Sequence, residues 1–293
     1  MTESYGYLNT CYAAPMSTET QQGTPDAVVS RRSTTVAGAA LVVLAVGQVV
    51  SGGLISTLAD SPLMQPDRVG EPLITPPGYA FSIWGLIEAF CLGLALWLVW
   101  FRKRADDRAV RVVDALTRAL LVVFAGFTVW LVASVVEPVW ATLAVFVVMG
   151  VFLGVGIKVA VGSRRELETW SPLGRALVWG TLGLFAGWST VAIWLNLTTA
   201  LAFSGAPVTG TAGLVGQLAV LAGATATAVA VLRFTGGLLP YAGAVLWALV
   251  GATIGTASAG QPVLAVASAV GVLVVAGSAA VLRLHRAPRS AVA

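Results

Sequence analysis

Long apolar runs alternate with short polar breaks along almost the whole chain. A helix needs about 20 apolar residues to cross the hydrocarbon of a bilayer. Val36–Leu58, Tyr79–Phe101, Ala119–Val136, Val139–Val161, Ala176–Phe203, Thr211–Leu232, Leu239–Ala257 and Val263–Leu284 all qualify. The breaks carry Pro62, Pro66, Pro76 and Pro77, then Glu137–Pro138, Ser171–Pro172, Gly205 and Pro207, Gly236, Gly237 and Pro240, and Gly260 and Pro262. Proline cannot continue a helical ladder and glycine tolerates turns, so both suit connections. The pattern predicts an all-α fold, a polytopic membrane helix bundle of about eight transmembrane helices.

Composition agrees. The chain is 57% hydrophobic and only 10% charged, where a soluble domain carries about 25% charged residues. Residues 1–33 are rich in Ser, Thr and Gln and have no apolar core, which excludes a signal peptide; Glu3, Glu19 and Asp26 argue against a mitochondrial transit peptide. They read as a disordered cytoplasmic tail, and 286–293 as a second. The net charge of +4 reports topology and gives no reason to expect a nucleic-acid partner. Of the 17 lysines and arginines, only Arg68 falls on one side of the predicted membrane. That asymmetry implies N-in, C-in topology in the inner (plasma) membrane, with the loop Ala59–Thr75 facing outward. Trp97, Trp100, Trp170 and Trp179 lie near the basic ends, as an interfacial belt requires.

Candidate chemistry is sparse. Cys11 lies in the tail and Cys91 inside a span, so no disulfide is expected, and the single histidine, His285, sits beside Arg286. Without a Cys/His cluster no metal is expected. Small pairs at helical spacing, Gly150/Gly154, Gly183/Gly187 and Gly251/Gly255, let a neighbour approach closely. They serve either packing within the bundle or a homodimer face.

Two stretches concentrate the remaining signals. In TPPGYAFSIWGLIEAF, Phe81, Trp84 and Glu88 share a helix face with Cys91. Glu88 lies about 13 Å along the second span, where an ionised carboxylate costs about 2.5–3.5 kcal/mol. It is either structural glue to a neighbouring helix or an anchor for a ligand or proton. In GLFAGWSTVAIWLNLTTA, Trp188, Ala192 and Asn196 recur four apart on the fifth span, with Thr199 continuing the stripe. An aromatic floor with few polar groups suits a flat apolar ligand; the same stripe also suits helix packing. Trp130 and Trp247 lie away from the interfaces, and Glu88 or Asn196 could accept their indole N–H groups.

These residues resemble a known family. PPGYAFSIWGLIEAFCLGLALWLVW is similar to the second-helix signature of the TspO/MBR family, the tryptophan-rich sensory proteins related to the mitochondrial translocator protein (peripheral benzodiazepine receptor). Pro76, Pro77, Phe81 and Trp84 match its spacing, and Trp188, Ala192 and Asn196 match its fifth-helix pattern. The resemblance covers the first five spans, about Val36–Phe203. It implies a five-helix bundle over 34–204 with a ligand cavity lidded by Ala59–Thr75, and three additional transmembrane helices over 205–285. The chain departs from the family pattern at Glu88, Phe127 and Leu184–Phe185, where relatives carry Tyr, Asn and Pro-Tyr.

The resemblance implies a membrane sensor or receptor that binds a hydrophobic, flat molecule, porphyrin- or sterol-like, with no resident cofactor. Phe81, Trp84, Glu88, Trp130, Trp188, Ala192 and Asn196 would line the pocket. A proton-coupled secondary transporter using Glu88 is the alternative, although no duplicated halves are apparent. An enzyme is not expected, because the chain supplies no nucleophile–base pair and no metal set.

Overall fold

A computed structural model describes residues 25–57, 71–136 and 139–286, with side chains over 35–54, 71–134 and 140–286. The helices are α1 (Pro25–Thr57), α2 (Ile83–Arg102), α3 (Asp107–Val136), α4 (Val139–Gly162), the short α5 (Arg164–Thr169), α6 (Pro172–Phe203), α7 (Gly210–Thr235), α8 (Leu239–Ser258) and α9 (Pro262–Leu284). A 3-10 turn, Gly78–Ser82, leads into α2. Among the described residues, eight of these helices, all but α5, are long and apolar enough to cross a membrane. The expected all-α bundle of eight spans is therefore the architecture, and the fifth span of the sequence is α6.

Three boundaries differ from the expected ones. α1 starts at Pro25, so 25–33 are helical where a disordered tail was expected. α3 starts at Asp107 rather than Ala119. Its first turn is capped by Asp106, whose Oδ1 accepts the Ala109 N–H at 2.9 Å. At 30 residues α3 exceeds the bilayer's need, and Arg102 meets Asp114 on its overhanging part at 2.7 Å. The break between the fourth and fifth spans contains a helix of its own, α5, whose Leu167 is buried. Residues 1–24, 58–70, 137–138 and 287–293 lie outside the described residues, and with them most of the expected lid, Arg68 and the Glu137–Pro138 break.

α6 is the hub. It packs against α2, α4, α7 and α8, and 78% of its most apolar window is buried, against 17% for α1. Lipid is as apolar as leucine, so helices in a bilayer associate through close contact and hydrogen bonds. α6 supplies both. A Cβ at Gly183 would lie 2.8 Å from Pro240 Cβ and from the Tyr241 backbone nitrogen, and one at Gly187 would lie 2.5 Å from the Tyr241 carbonyl. This pair is spent on packing inside the bundle. Hydroxyls and indoles complete the seams. Thr181 Oγ1 donates to the Phe90 carbonyl of α2 at 3.0 Å. Thr190 Oγ1 and the Tyr241 hydroxyl of α8 lie 2.9 Å apart. Trp194 Nε1 donates to Thr227 Oγ1 of α7 at 3.2 Å, and Trp140 Nε1 of α4 donates to Ser204 Oγ at 3.2 Å.

The basic ends of the spans gather at one end of the bundle, where Arg102 meets Asp114 and Arg164 donates to the Thr235 carbonyl. At the opposite end the chain leaves α6 through Ser204–Thr209 and enters α2 through the Pro76–Pro77 turn.

Gly183→Leu should lower stability by about 1–3 kcal/mol, because rigid backbone blocks the new side chain. Gly154→Ala should be nearly silent, since nothing lies within 4 Å of its added Cβ. Thermal unfolding in detergent, followed by helical circular dichroism, would check the contrast.

Candidate functional site

Aromatic side chains converge where α2, α3, α4 and α6 meet. The Trp84 ring lies 4.8 Å from Phe127, 5.5 Å from Trp130, 5.5 Å from Phe185 and 6.1 Å from Trp188, centroid to centroid. Phe81 sits edge-on to Trp188 at 5.5 Å, and Trp130 reaches Phe146 of α4 at 5.1 Å. Edge-to-face contacts at these separations are the favourable arrangement for quadrupolar rings. Four of the residues expected to line a pocket, Phe81, Trp84, Trp130 and Trp188, are thus brought together, and they occupy the centre themselves.

One atom in this centre is out of balance. Trp84 Nε1 is buried and has no hydrogen-bond partner. Leaving a buried donor unpaired costs about 1–3 kcal/mol. Trp247, the other indole read as away from the interfaces, donates to the Ala80 carbonyl at 2.8 Å and not to Glu88 or Asn196.

The remaining expected residues lie around the ring cluster. Glu88 is half-buried and faces α1, where a Cβ on Gly52 would stand 3.0 Å from its Oε1. One helical turn before Gly52, on the same face of α1, lies Gln48, which is fully buried. Its Nε2 donates to the Phe124 carbonyl of α3 at 3.5 Å, and its Oε1 has no partner. Sequence reasoning missed Gln48. The available signal was a lone amide inside an apolar run, the same signal that drew attention to Asn196. Ala192 is buried, and its carbonyl accepts from Asn196 Nδ2 at 2.8 Å. Asn196 therefore satisfies one donor on its own helix. Thr199, read as continuing the stripe, is exposed.

The turn that opens α2 is held by the last helices. Pro76 and Pro77 pack on α8, where a Cβ at Gly251 would lie 3.1 Å from Pro76 Cβ and one at Gly255 would lie 3.2 Å from Pro77 Cδ. The third small pair thus admits a proline turn, not another helix. Tyr79 sits edge-on to Trp247 at 6.1 Å. Gln217 of α7, also missed in the sequence, accepts the Ile74 N–H at 3.2 Å and donates to the Val208 carbonyl at 2.9 Å. It ties the last residues of the expected lid to the α6–α7 connection.

A polytopic helical bundle with a tryptophan-centred core, entered through a double-proline turn, defines the class of membrane protein at hand. The model of the TSPO-like protein family matches residues 34–281, and the chain belongs to that family. The match runs beyond the five spans on which the resemblance rested, through α7 and α8 and most of α9. Neither a curated protein nor a solved structure matches the chain.

Gln217→Leu should free the Ile74 amide and strand the Val208 carbonyl, a loss of about 1–3 kcal/mol at the tie. Hydrogen exchange should report it as an acceleration of at least about fivefold at Ile74, while the α3–α4 interface keeps its protection.

Proposed function

We propose that the protein is a sensor or receptor of the membrane that binds a hydrophobic, flat ligand, porphyrin- or sterol-like, at the aromatic centre between α2, α3 and α6. The observation that carries this reading is the buried, unpartnered N–H of Trp84 amid four aromatic rings. A ligand that slides between Trp84 and Trp188 gains two π-faces and gives that N–H an acceptor, offsetting the cost of parting rings already in contact. Phe81 walls the site, Trp130 and Ala192 bound it, and Asn196, with one amide hydrogen already committed to Ala192, offers its oxygen at the rim. The chain from Ile74 to Tyr79, tied to α7 and α8, sets the threshold over which the ligand passes.

In this reading the protein binds and signals without transforming its ligand and carries no resident cofactor. It lies N-in and C-in in the inner (plasma) membrane, because the basic ends of the spans share one end of the bundle. Lipid-facing small residues such as Gly154 leave room for a homodimer.

Purified protein titrated with a porphyrin or a sterol should show saturable quenching of tryptophan fluorescence. Trp84→Phe, which keeps a ring and deletes the N–H, should weaken binding about tenfold, and Trp188→Ala should weaken it further. Absence of saturable quenching in the unmodified protein would end this reading.

One observation favours a second reading, proton-coupled transport. Glu88 faces Gly52 of α1, one helical turn from the buried Gln48, and is not one of the rings' partners. If it is correct, proton-driven uptake into vesicles disappears in Glu88→Gln while porphyrin quenching persists.

A further inference from the structure

A cleft of about 790 Å³ opens at the basic end of the bundle, between the first turns of α3, the last turn of α4 and α5. It belongs neither to the aromatic centre nor to the Glu88 locus. Its walls carry Arg108 and Arg111 from α3 and Arg164 and Arg165 from α5, against a single carboxylate, Glu166. Glu166 Oε1 accepts the Trp170 indole N–H at 3.3 Å, which orients this one carboxylate without cancelling the surplus of guanidinium groups. Arg108, Arg111 and Arg165 are exposed and make no ion pair with any of the described residues. Among the described residues, the cleft therefore keeps an excess of positive charge.

Arg164 has a different task. It donates to the Thr235 carbonyl of α7 and lies 5.4 Å over the Trp179 ring of α6. Burial, and then the nearby Arg286, lower its pKa, against the opposing pull of Glu168. An arginine held this way fixes α5 against the bundle and keeps the cleft open between α5 and α3. The floor is apolar: Val112 and Ala115 of α3 face Val159 and Val161 of α4.

On α3, Arg108, Arg111, Ala115 and Arg118 follow one another at helical spacing along one face, so the positive stripe runs from the overhanging turns towards the hydrocarbon. Guanidinium groups bind phosphate in a forked, bidentate geometry. A charged rim above an apolar floor, set at the end of spanning helices, matches an amphiphile better than a soluble anion.

We propose that this cleft binds the phosphate of an anionic phospholipid, with Arg108, Arg111 and Arg165 on the headgroup and the first acyl carbons on Val112 and Val159. The lipid seals the α3–α4 seam at the membrane face and holds the overhang of α3 against α5.

The test uses the full chain in mild detergent and native mass spectrometry, with phosphatidylglycerol and phosphatidylcholine of equal chain length, and inorganic phosphate as competitor. Phosphatidylglycerol should bind in preference to phosphatidylcholine. Arg108→Gln combined with Arg111→Gln should weaken it about 10- to 30-fold. Lys103→Gln combined with Arg233→Gln, which removes equal charge from exposed positions outside the cleft, should leave it nearly unchanged. Equal losses in both pairs would overturn the proposal in favour of diffuse attraction, and full displacement by millimolar phosphate would overturn it in favour of a soluble anion. Should the glutamine pair not fold, Arg108→Lys with Arg111→Lys reads the same contacts: a partial loss is expected, and complete retention of the preference overturns the proposal.

Discussion

The structure depends on how α6 is surrounded. A helix enclosed by four others in a bilayer gains little from the hydrophobic effect, because its alternative environment is equally apolar. What remains is contact and hydrogen bonding. Glycines at 183 and 187 bring α8 to backbone distance, and the hydroxyls of Thr181 and Thr190 reach α2 and α8. Such interhelical bonds contribute only about 0.6 kcal/mol each on average. Their number and direction matter more than their individual strength, for they set the rotation of α6. That rotation decides which residues of α6 meet α2.

The consequence is a division along the α2–α6 seam. Near the basic end, Gly174 and Gly180 of α6 receive Trp97 and Phe90 of α2. Further along, Phe185 and Trp188 present rings where those glycines presented none, and Trp84 and Phe81 meet them. Small residues at one end and large ones at the other place the aromatic centre towards the end where the double-proline turn enters. α7 and α8 hold that turn through Gln217 and the Gly251/Gly255 pair. α7 and α8 therefore help to position the start of α2, and the extent of the family match is consistent with this.

Polar side chains follow the same economy. Every polar group within the hydrocarbon must find a partner in the protein, and most do so on their own helix, as Thr198 does with the Trp194 carbonyl at 2.8 Å. The exceptions are informative. Trp84 Nε1, Gln48 Oε1 and the hydroxyls of Ser189 and Ser268 are buried without partners among the described residues. At the basic end of the bundle the exceptions are charges: Arg108, Arg111 and Arg165 make no ion pair among the described residues around an open cleft.

How much was legible follows from the range of each signal. The eight spans were legible because their apolar runs are set by bilayer thickness, a length that any chain must meet. The pairing of Trp84 with Trp188 was anticipated only through a resemblance, since spacing along each helix says which residues share a face but not which faces meet. Gly251/Gly255 packs within the bundle, one of the two uses expected, but that a proline turn fills it was not legible, because a small pair announces a close approach without naming what approaches. Gln48 and Gln217 were passed over for a related reason: a lone amide in an apolar run gains meaning only from what it touches.

By itself, then, the sequence determined the number of spans, the clustering of basic residues at alternate ends of successive spans and the helical stripes that carry Phe81, Trp84, Glu88, Trp188 and Asn196. These follow from local periodicity and from the cost of charge in hydrocarbon. Only the tertiary structure decided that Glu88 turns to α1, that the rings of α2, α3 and α6 fill one centre, and that Arg108, Arg111 and Arg165 share a cleft with a single carboxylate. Those outcomes depend on the relative rotation of helices far apart in the chain, which contact geometry sets and periodicity cannot express.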